Sequence, residues 1–279
     1  MKTKPLIGIM QGRMLPPYEG RFQAFPANQW LDEFHLAAQA GLHSIEWIYE
    51  TYNRDKNPII DDDGIAEIAK ATKKTGVKTL SICADYFMNR QLVGENGKPN
   101  QENVEHLLWL IGQAEKLSMG YIVLPFVDSS SLTSEAERDG LVEVLEQTLP
   151  TAAKMNVELH LETDFTPIIL KHFLERVDHP ALLSNYDIGN SAALGYDPAE
   201  ELTYIGDRLG SVHIKDRVLG GGTVPFGTGN ANFATCFRLI EEIGLSYPYI
   251  LQAARNEEID NVSWAIQNRK FAEEFISAL

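Results

Sequence analysis

VELHLE (157–162), LLSNYD (182–187), LGSVHIKD (209–216) and YPYILQ (247–252) share one pattern. Each is a short apolar run carrying, at or near its C-terminal end, a residue that can bind a metal or move a proton: Glu162, Asp187, His213 and Gln252. These four lie 25, 26 and 39 residues apart (162 to 187, 187 to 213, 213 to 252). Each gap has room for a loop, a helix and a return to the next strand. Four such strand ends converge only if the strands lie parallel and side by side, with their C-terminal ends on one face. The pattern therefore predicts a β/α barrel with a hard-cation site at its mouth.

Working outward, the rest of the chain repeats the same alternation. Strands are expected near 6–10, 44–48, 78–84, 121–125, 158–162, 182–187, 210–214 and 249–252. Helical periods fall near 27–40, 64–75, 101–117, 134–154, 167–177, 198–205, 233–243 and 262–278. Strands alternating with helices imply a parallel sheet, and this number of pairs allows closure into one (β/α)8 barrel domain over 1–279. Gly41, Gly76 and Gly244 sit just past helical runs, where left-handed caps are common. Pro167 and Pro198 open helices, and Ser134 with Glu137 forms a capping-box pattern. Two stretches stay irregular, 11–26 and 215–232. Both follow strand ends, so both should overhang the mouth, and loops this long are usually functional.

Composition bounds the function. The 279 residues, 44% hydrophobic and 23% charged, supply an ordinary core without covalent staples. Two cysteines, Cys83 and Cys236, make no disulfide framework and suit a reducing cytoplasm. A net charge of −15 argues against nucleic acid and anionic membrane as partners. The apolar stretch before Gln11 is too short for a secretory segment, and no run spans a bilayer. A cytoplasmic protein is expected, with homo-oligomerisation through apolar helix faces left open.

The donor set narrows the chemistry. Two carboxylates and one imidazole at strand ends suit Mn²⁺, Mg²⁺, Co²⁺ or Zn²⁺. Taken singly, Glu162 or Asp187 is as easily a helix cap or a lysine's partner; at successive strand ends a metal site is the better reading. Strand alternation points Lys215 the same way as His213 and places His160 on the face of Glu162. Lys215, Arg217 and Arg255 flank the strand ends and could hold an anionic or hydroxyl group, although Lys215 and Arg217 could equally pair with Asp216. Arg13, Arg21 and Arg90 also follow predicted strands. The glycine runs GGGT (220–223) and FGTGN (226–230) fit neither a P-loop nor a dinucleotide fingerprint, which leaves only a weak phosphate signal. No G-x-S-x-G elbow is present.

In the order Glu162, DIGN (187–190), VHIKD (212–216), VPFGTGNANF (224–233) and YPYIL followed by Gln252, the chain resembles the xylose-isomerase-like barrel superfamily. GLHSIEW (41–47) and SICADYF (81–87) extend the likeness through the N-terminal half. Within the superfamily it looks most similar to sugar-phosphate isomerases and epimerases of the L-xylulose- or L-ribulose-5-phosphate 3-epimerase type. The resemblance implies a divalent metal held by Glu162, Asp187, His213 and the residue at 252, a sugar or sugar-phosphate substrate, and two glutamates that move protons on opposite faces of it through an enediolate. It gives Glu162 the roles of ligand and acid/base, and Glu46 a role in orienting substrate or ligands.

Gln252 departs from that pattern. An amide oxygen can bind a metal, but an amide cannot act as a general base. The second proton then comes from another group, with His160 (otherwise a hydrogen-bonded core histidine), Asp164, Asp85 and Glu46 as candidates, or the reaction uses one base, or the site no longer catalyses. Three readings follow: a metal-dependent isomerase or 3-epimerase of a ketose or ketose phosphate; a sugar-acid or keto-polyol dehydratase; and a barrel that binds sugar without turning it over.

Overall fold

Short apolar runs form the strands because parallel strands packed on both faces need apolar side chains on both. β1 (Ile7–Met10), β2 (Ser44–Ile48), β4 (Tyr121–Phe126) and β7 (Leu209–Ile214) are buried at every position in the computed structural model, which describes residues 6–277. With β3 (Lys78–Cys83), β5 (Glu158–Thr163), β6 (Leu182–Asp187) and β8 (Tyr249–Leu251) they close a barrel in sequence order, every neighbour parallel.

The expected helices surround it: α1 (Trp30–Gln39), α2 (Asp62–Thr75), α4 (Gln101–Lys116), α5 (Glu135–Lys154), α6 (Pro167–Val177), α8 (Pro198–Ile205), α9 (Phe233–Ile243) and α10 (Asn261–Ser277). Their ends follow the sequence signals. Gly76 and Gly244 cap α2 and α9 with φ of 79° and 89°. Ser134 and Glu137 exchange their capping-box bonds at the start of α5, and prolines open α6 and α8. The first helix starts at Trp30 rather than 27, and the last expected position, Ala278, lies outside the described residues.

Two short helices have no counterpart in the sequence reading: α3 (Tyr86–Asn89) after β3 and α7 (Ile188–Leu194) after β6. Each is too short for an apolar period to show, and both sit at the mouth. Among the described residues no helix is long and apolar enough to cross a membrane.

Alternation along β2 sorts the family-like SIEW segment. Glu46 points into the barrel, whereas Trp47 points out and packs with Phe25 and Trp30, each at a ring separation of 5.6 Å. Tyr49 likewise belongs to an aromatic cluster with Tyr86, His106 and Trp109. These rings stabilise the barrel wall. A register shift between Ile45 and Glu46 opposite β3 re-aims Glu46, as bulges next to functional positions commonly do.

Candidate metal centre and active-site cavity

Parallel register sets the height of the strand ends. Asp187 pairs directly with His213 across β6 and β7, and Glu162 ends the inward-facing series Glu158, His160, Glu162 on β5. The result is a three-sided cluster. His213 Nδ1 stands 3.7 Å from Glu162 Oε2 and 3.9 Å from Asp187 Oδ2. One donor atom from each of the three residues lies within 4.8 Å of the others, and all three residues are buried.

The hydrogen-bond pattern shows which atoms are free. His213 Nε2 and Glu46 Oε1 are 2.6 Å apart, and Ser81 Oγ donates to the other oxygen of Glu46 at 2.7 Å. His213 Nδ1 is a buried nitrogen without a hydrogen-bond partner. A carboxylate holding one imidazole nitrogen so that the other faces a donor cluster is the usual support for a metal-ligating histidine. Replacing Glu46 by Gln should therefore weaken Mn²⁺ binding by about 10- to 100-fold without removing a ligand. Titration calorimetry checks this, and unchanged affinity would dissociate Glu46 from the site.

Charges at the cluster respond to burial and to one another. Burial pushes Glu162 up to about 7, with His213 opposing and Asp187 reinforcing the shift. Burial disfavours a charged His213, but Glu46, Glu162 and Asp187 outweigh it and raise the group to about 9. Burial likewise works against an ionised Glu46, and the charge and hydrogen bond of His213 hold it below its ordinary value. A cation bound between these donors would take the place of the imidazolium proton.

Asp187 also does what an isolated strand-end aspartate does. Its Oδ1 accepts from the backbone of Asn190 at 2.8 Å, capping α7, and its Oδ2 accepts from Lys215 Nζ at 3.0 Å. Gly189 is required here, because a Cβ at that position would lie 2.7–2.9 Å from Lys215 atoms. Asn190, which the sequence reading carried only as the last residue of DIGN, links the side chains of the site. Its amide nitrogen donates to Glu162 Oε1 at 2.6 Å, and its oxygen accepts from Lys215 at 3.3 Å and from Arg217 at 2.9 Å.

Above the cluster the mouth encloses a cavity of about 320 Å³, within the size range of small-molecule sites. Glu162, Asn190, Lys215, Arg217 and Gln252 line one part of its wall, and Gln23, Cys83, Asp85, Asp128 and Thr223 line another. Gln23 enters from the loop after β1, which is pinned from below. Arg13 donates to Phe22 O at 2.7 Å and to Gln23 Oε1 at 3.0 Å, and Arg255 donates to the carbonyls of Gly12, Leu15 and Phe22. Arg255 is thus engaged in holding this loop, whereas Arg217 reaches the cavity.

Arg13 also fixes the orientation of the amides above it. Arginine only donates, so Gln23 Oε1 faces Arg13 and its amide nitrogen faces Asp85 Oδ2 at 2.8 Å. Gln252 must then present its nitrogen to Gln23 Oε1, at 3.0 Å. Its own oxygen is left buried and unpartnered. An unpaired amide oxygen, an unpaired imidazole nitrogen and two carboxylates form a chemically suitable donor set for a divalent cation.

Of its two readings, acid/base at the mouth or hydrogen-bonded core histidine, His160 takes the second. Its Nδ1 meets Ser211 Oγ at 2.8 Å, its Nε2 meets Glu158 at 3.0 Å, and its ring stacks on Tyr121 at 4.3 Å. Gly210 exists to admit this ring, since a Cβ there would come within 2.6 Å of it. Alternation gave the correct side of β5, but His160 is a buried barrel residue and lies outside the lining of the cavity. Asp164 also turns aside, accepting from Ser131. Asp216, read as an ion-pair partner for Lys215 or Arg217, is instead fully buried and accepts three backbone N–H bonds from Gly227, Gly229 and Ala231. The FGTGN glycines therefore serve an internal carboxylate, not a phosphate.

A family model described as xylose isomerase-like TIM barrel matches residues 34–274. The chain belongs to this family. An L-ribulose-5-phosphate 3-epimerase UlaE from Shigella flexneri is 26% identical over 247 residues, covering 82% of this chain and 84% of the relative. Among solved structures, the IOLI protein with a bound zinc atom superposes with a TM-score of 0.75 at 18% identity, covering 98% of each chain. D-Psicose 3-epimerase from Clostridium cellulolyticum H10, solved with D-tagatose, superposes with a TM-score of 0.74 at 13% identity, over 97% of this chain and 99% of that one. These two likenesses establish the common fold.

Proposed function

We propose that this protein is a divalent-metal-dependent isomerase, a 3-epimerase of a ketose or ketose phosphate, working through an enediolate. The observation that carries the reading is the Glu162, Asp187 and His213 cluster beneath a polar cavity in a family that includes sugar-phosphate epimerases. Glu162, Asp187, His213 and Gln252 Oε1 would hold the ion. When bound, it would supply positive charge that favours the enediolate over the ketose.

Glu162 is the base. Its carboxylate faces the cavity, its ordinary affinity for a proton is raised by burial, and Asn190 fixes one of its oxygens. It takes the proton from the carbon beside the carbonyl, and the C–H electrons pass into the enediolate. Lys215 and Arg217, held together on Asn190 Oδ1, present positive charge to substrate hydroxyl or phosphate oxygens. A cytoplasmic location accords with two free, buried cysteines.

The test is proton exchange in D₂O with saturating Mn²⁺, over a panel of ketoses and their phosphates, followed by NMR. Deuterium at the carbon beside the carbonyl, with the epimer accumulating, is the expected result. A panel showing exchange no faster than the enzyme-free rate would end the proposal. Gln252 also suits a one-base elimination of water, which product mass separates: the dehydrated product is 18 Da lighter than the substrate, whereas epimerisation conserves mass.

A further inference from the structure

Epimerisation inverts a carbon, so a proton leaves one face and another arrives on the opposite face. Glu162 reaches one face only. The expected partner position, at the end of β8, holds an amide. Of the other candidates, His160 is sealed in the barrel, Glu46 is fully buried on His213 and Ser81, and Asp164 is turned to Ser131. Asp128 lines the cavity but sits exposed on a rim turn.

We propose that Asp85 is the second acid/base: its carboxyl, held at the cavity wall by Gln23 and Cys83, serves the substrate face that Glu162 does not. This rests on the epimerase reading above. Asp85 follows β3 and lines the same cavity as Glu162, which lies on β5. Its partners are an amide nitrogen at 2.8 Å and a thiol at 3.2 Å, not a cation. No cation touches this carboxyl, His213 and Lys215 acting on it only from farther off, so a largely buried Asp85 is costly to keep for structure alone. Burial accordingly raises its proton affinity, with the Gln23 and Cys83 hydrogen bonds opposing. The chain from Arg13 through Gln23 fixes which way the carboxyl faces, and Gln252 donates into the same amide oxygen.

The step balances. Glu162 takes H⁺ from the carbon, leaving the electron pair in the enediolate. Asp85, as the carboxylic acid, gives H⁺ to the opposite face as the enediolate electrons form the new C–H bond and the carbonyl returns. The enzyme is left with Glu162 protonated and Asp85 ionised, and exchange with water resets both. In the reverse direction the roles swap.

The test is Asp85→Asn in the manganese-loaded protein, on a substrate that the wild type epimerises, in D₂O. Loss of one acid/base typically costs 10²- to 10⁴-fold, and epimerisation should fall by about that amount. With each epimer supplied in turn, deuterium should still enter recovered, uninverted substrate within about tenfold of the wild-type exchange rate for the epimer whose proton Glu162 removes and returns alone, and should cease to enter the other. Manganese affinity by calorimetry should stay within about threefold. Epimerisation near the wild-type rate overturns the proposal. So does loss of exchange from both epimers together with epimerisation, or a fall in manganese affinity, since either shows that Asp85 supports the site as a whole. If D85N does not fold, Asp85→Ser, which keeps an acceptor for Gln23, is read by the same criteria. Wild type that exchanges no sugar proton would instead sink the epimerase reading.

Discussion

Replacing Glu162 by Gln should lower turnover by about 10³-fold or more while leaving a folded barrel. The two side chains match in shape, and Asn190 Nδ2 can still donate to the remaining oxygen, as it does to Glu162 Oε1 at 2.6 Å. What disappears is the capacity to accept a proton, together with one negative charge from a cluster that includes Asp187 and His213. The two losses can be told apart. A weakened ion site is refilled by raising Mn²⁺, whereas a missing base is not. Turnover that stays about 10³-fold down at saturating Mn²⁺, with KM little changed, identifies removal of a transition-state interaction. Recovery of turnover at high Mn²⁺ would confine Glu162 to holding the ion and would require another base. Deuterium exchange should fall in parallel with turnover, which contrasts with the expectation for Asp85→Asn and makes the pair of variants a test of which residue begins the reaction on a given epimer.

The barrel was legible because its strands are short apolar runs punctuated by glycine and proline, and local chemistry agrees with topology at most boundaries. The cluster at its mouth was legible for a related reason. A carboxylate or imidazole ending an apolar run needs a partner, and Asp187 and His213 found theirs at matching heights across two strands. Depth was not legible. Period-two alternation assigns a side of the strand, so His160 shared the face of Glu162 while lying one inward step lower, against Tyr121 and Ser211. Loop residues escaped for the opposite reason, since they have no period at all. Gln23 reaches the cavity only because Arg13 and Arg255 bind the carbonyls around it, and nothing in the sequence separates those arginines from Arg217, which lines the cavity. Asn190 and Asp85 carried a usable signal, since both follow a strand end within three residues. Sequence alone could not rank them above other polar residues there.

Asp216→Ala should cost about 3 kcal/mol, because it removes the anchor of the loop after β7. Asp216 Oδ2 accepts from Gly227 N at 2.8 Å and Gly229 N at 2.9 Å, and Oδ1 accepts from Ala231 N at 3.1 Å. The residue is fully buried, so alanine leaves three backbone donors facing a void. Individual charged hydrogen bonds contribute roughly 1.5–3 kcal/mol, and partial refilling by water keeps the total near the figure given. For a chain of this size the melting temperature should fall by roughly 6–12 °C, given about 2–4 °C per kcal/mol. Asn should fall between, because its oxygen can serve two donors while its NH₂ group confronts the third. Gly229→Ala attacks the same contact from the other side: a Cβ there would lie 2.2 Å from Asp216 Oδ1 and 2.6 Å from the Arg217 carbonyl. The loop also carries Arg217, Gly222 and Thr223 into the cavity, so KM for a sugar substrate should rise in all three variants in the order of their destabilisation. Wild-type melting in Asp216→Ala would show that the loop is held by its backbone hairpin between Arg217 and Thr223 instead, and that the buried carboxylate is carried at a cost for some other purpose.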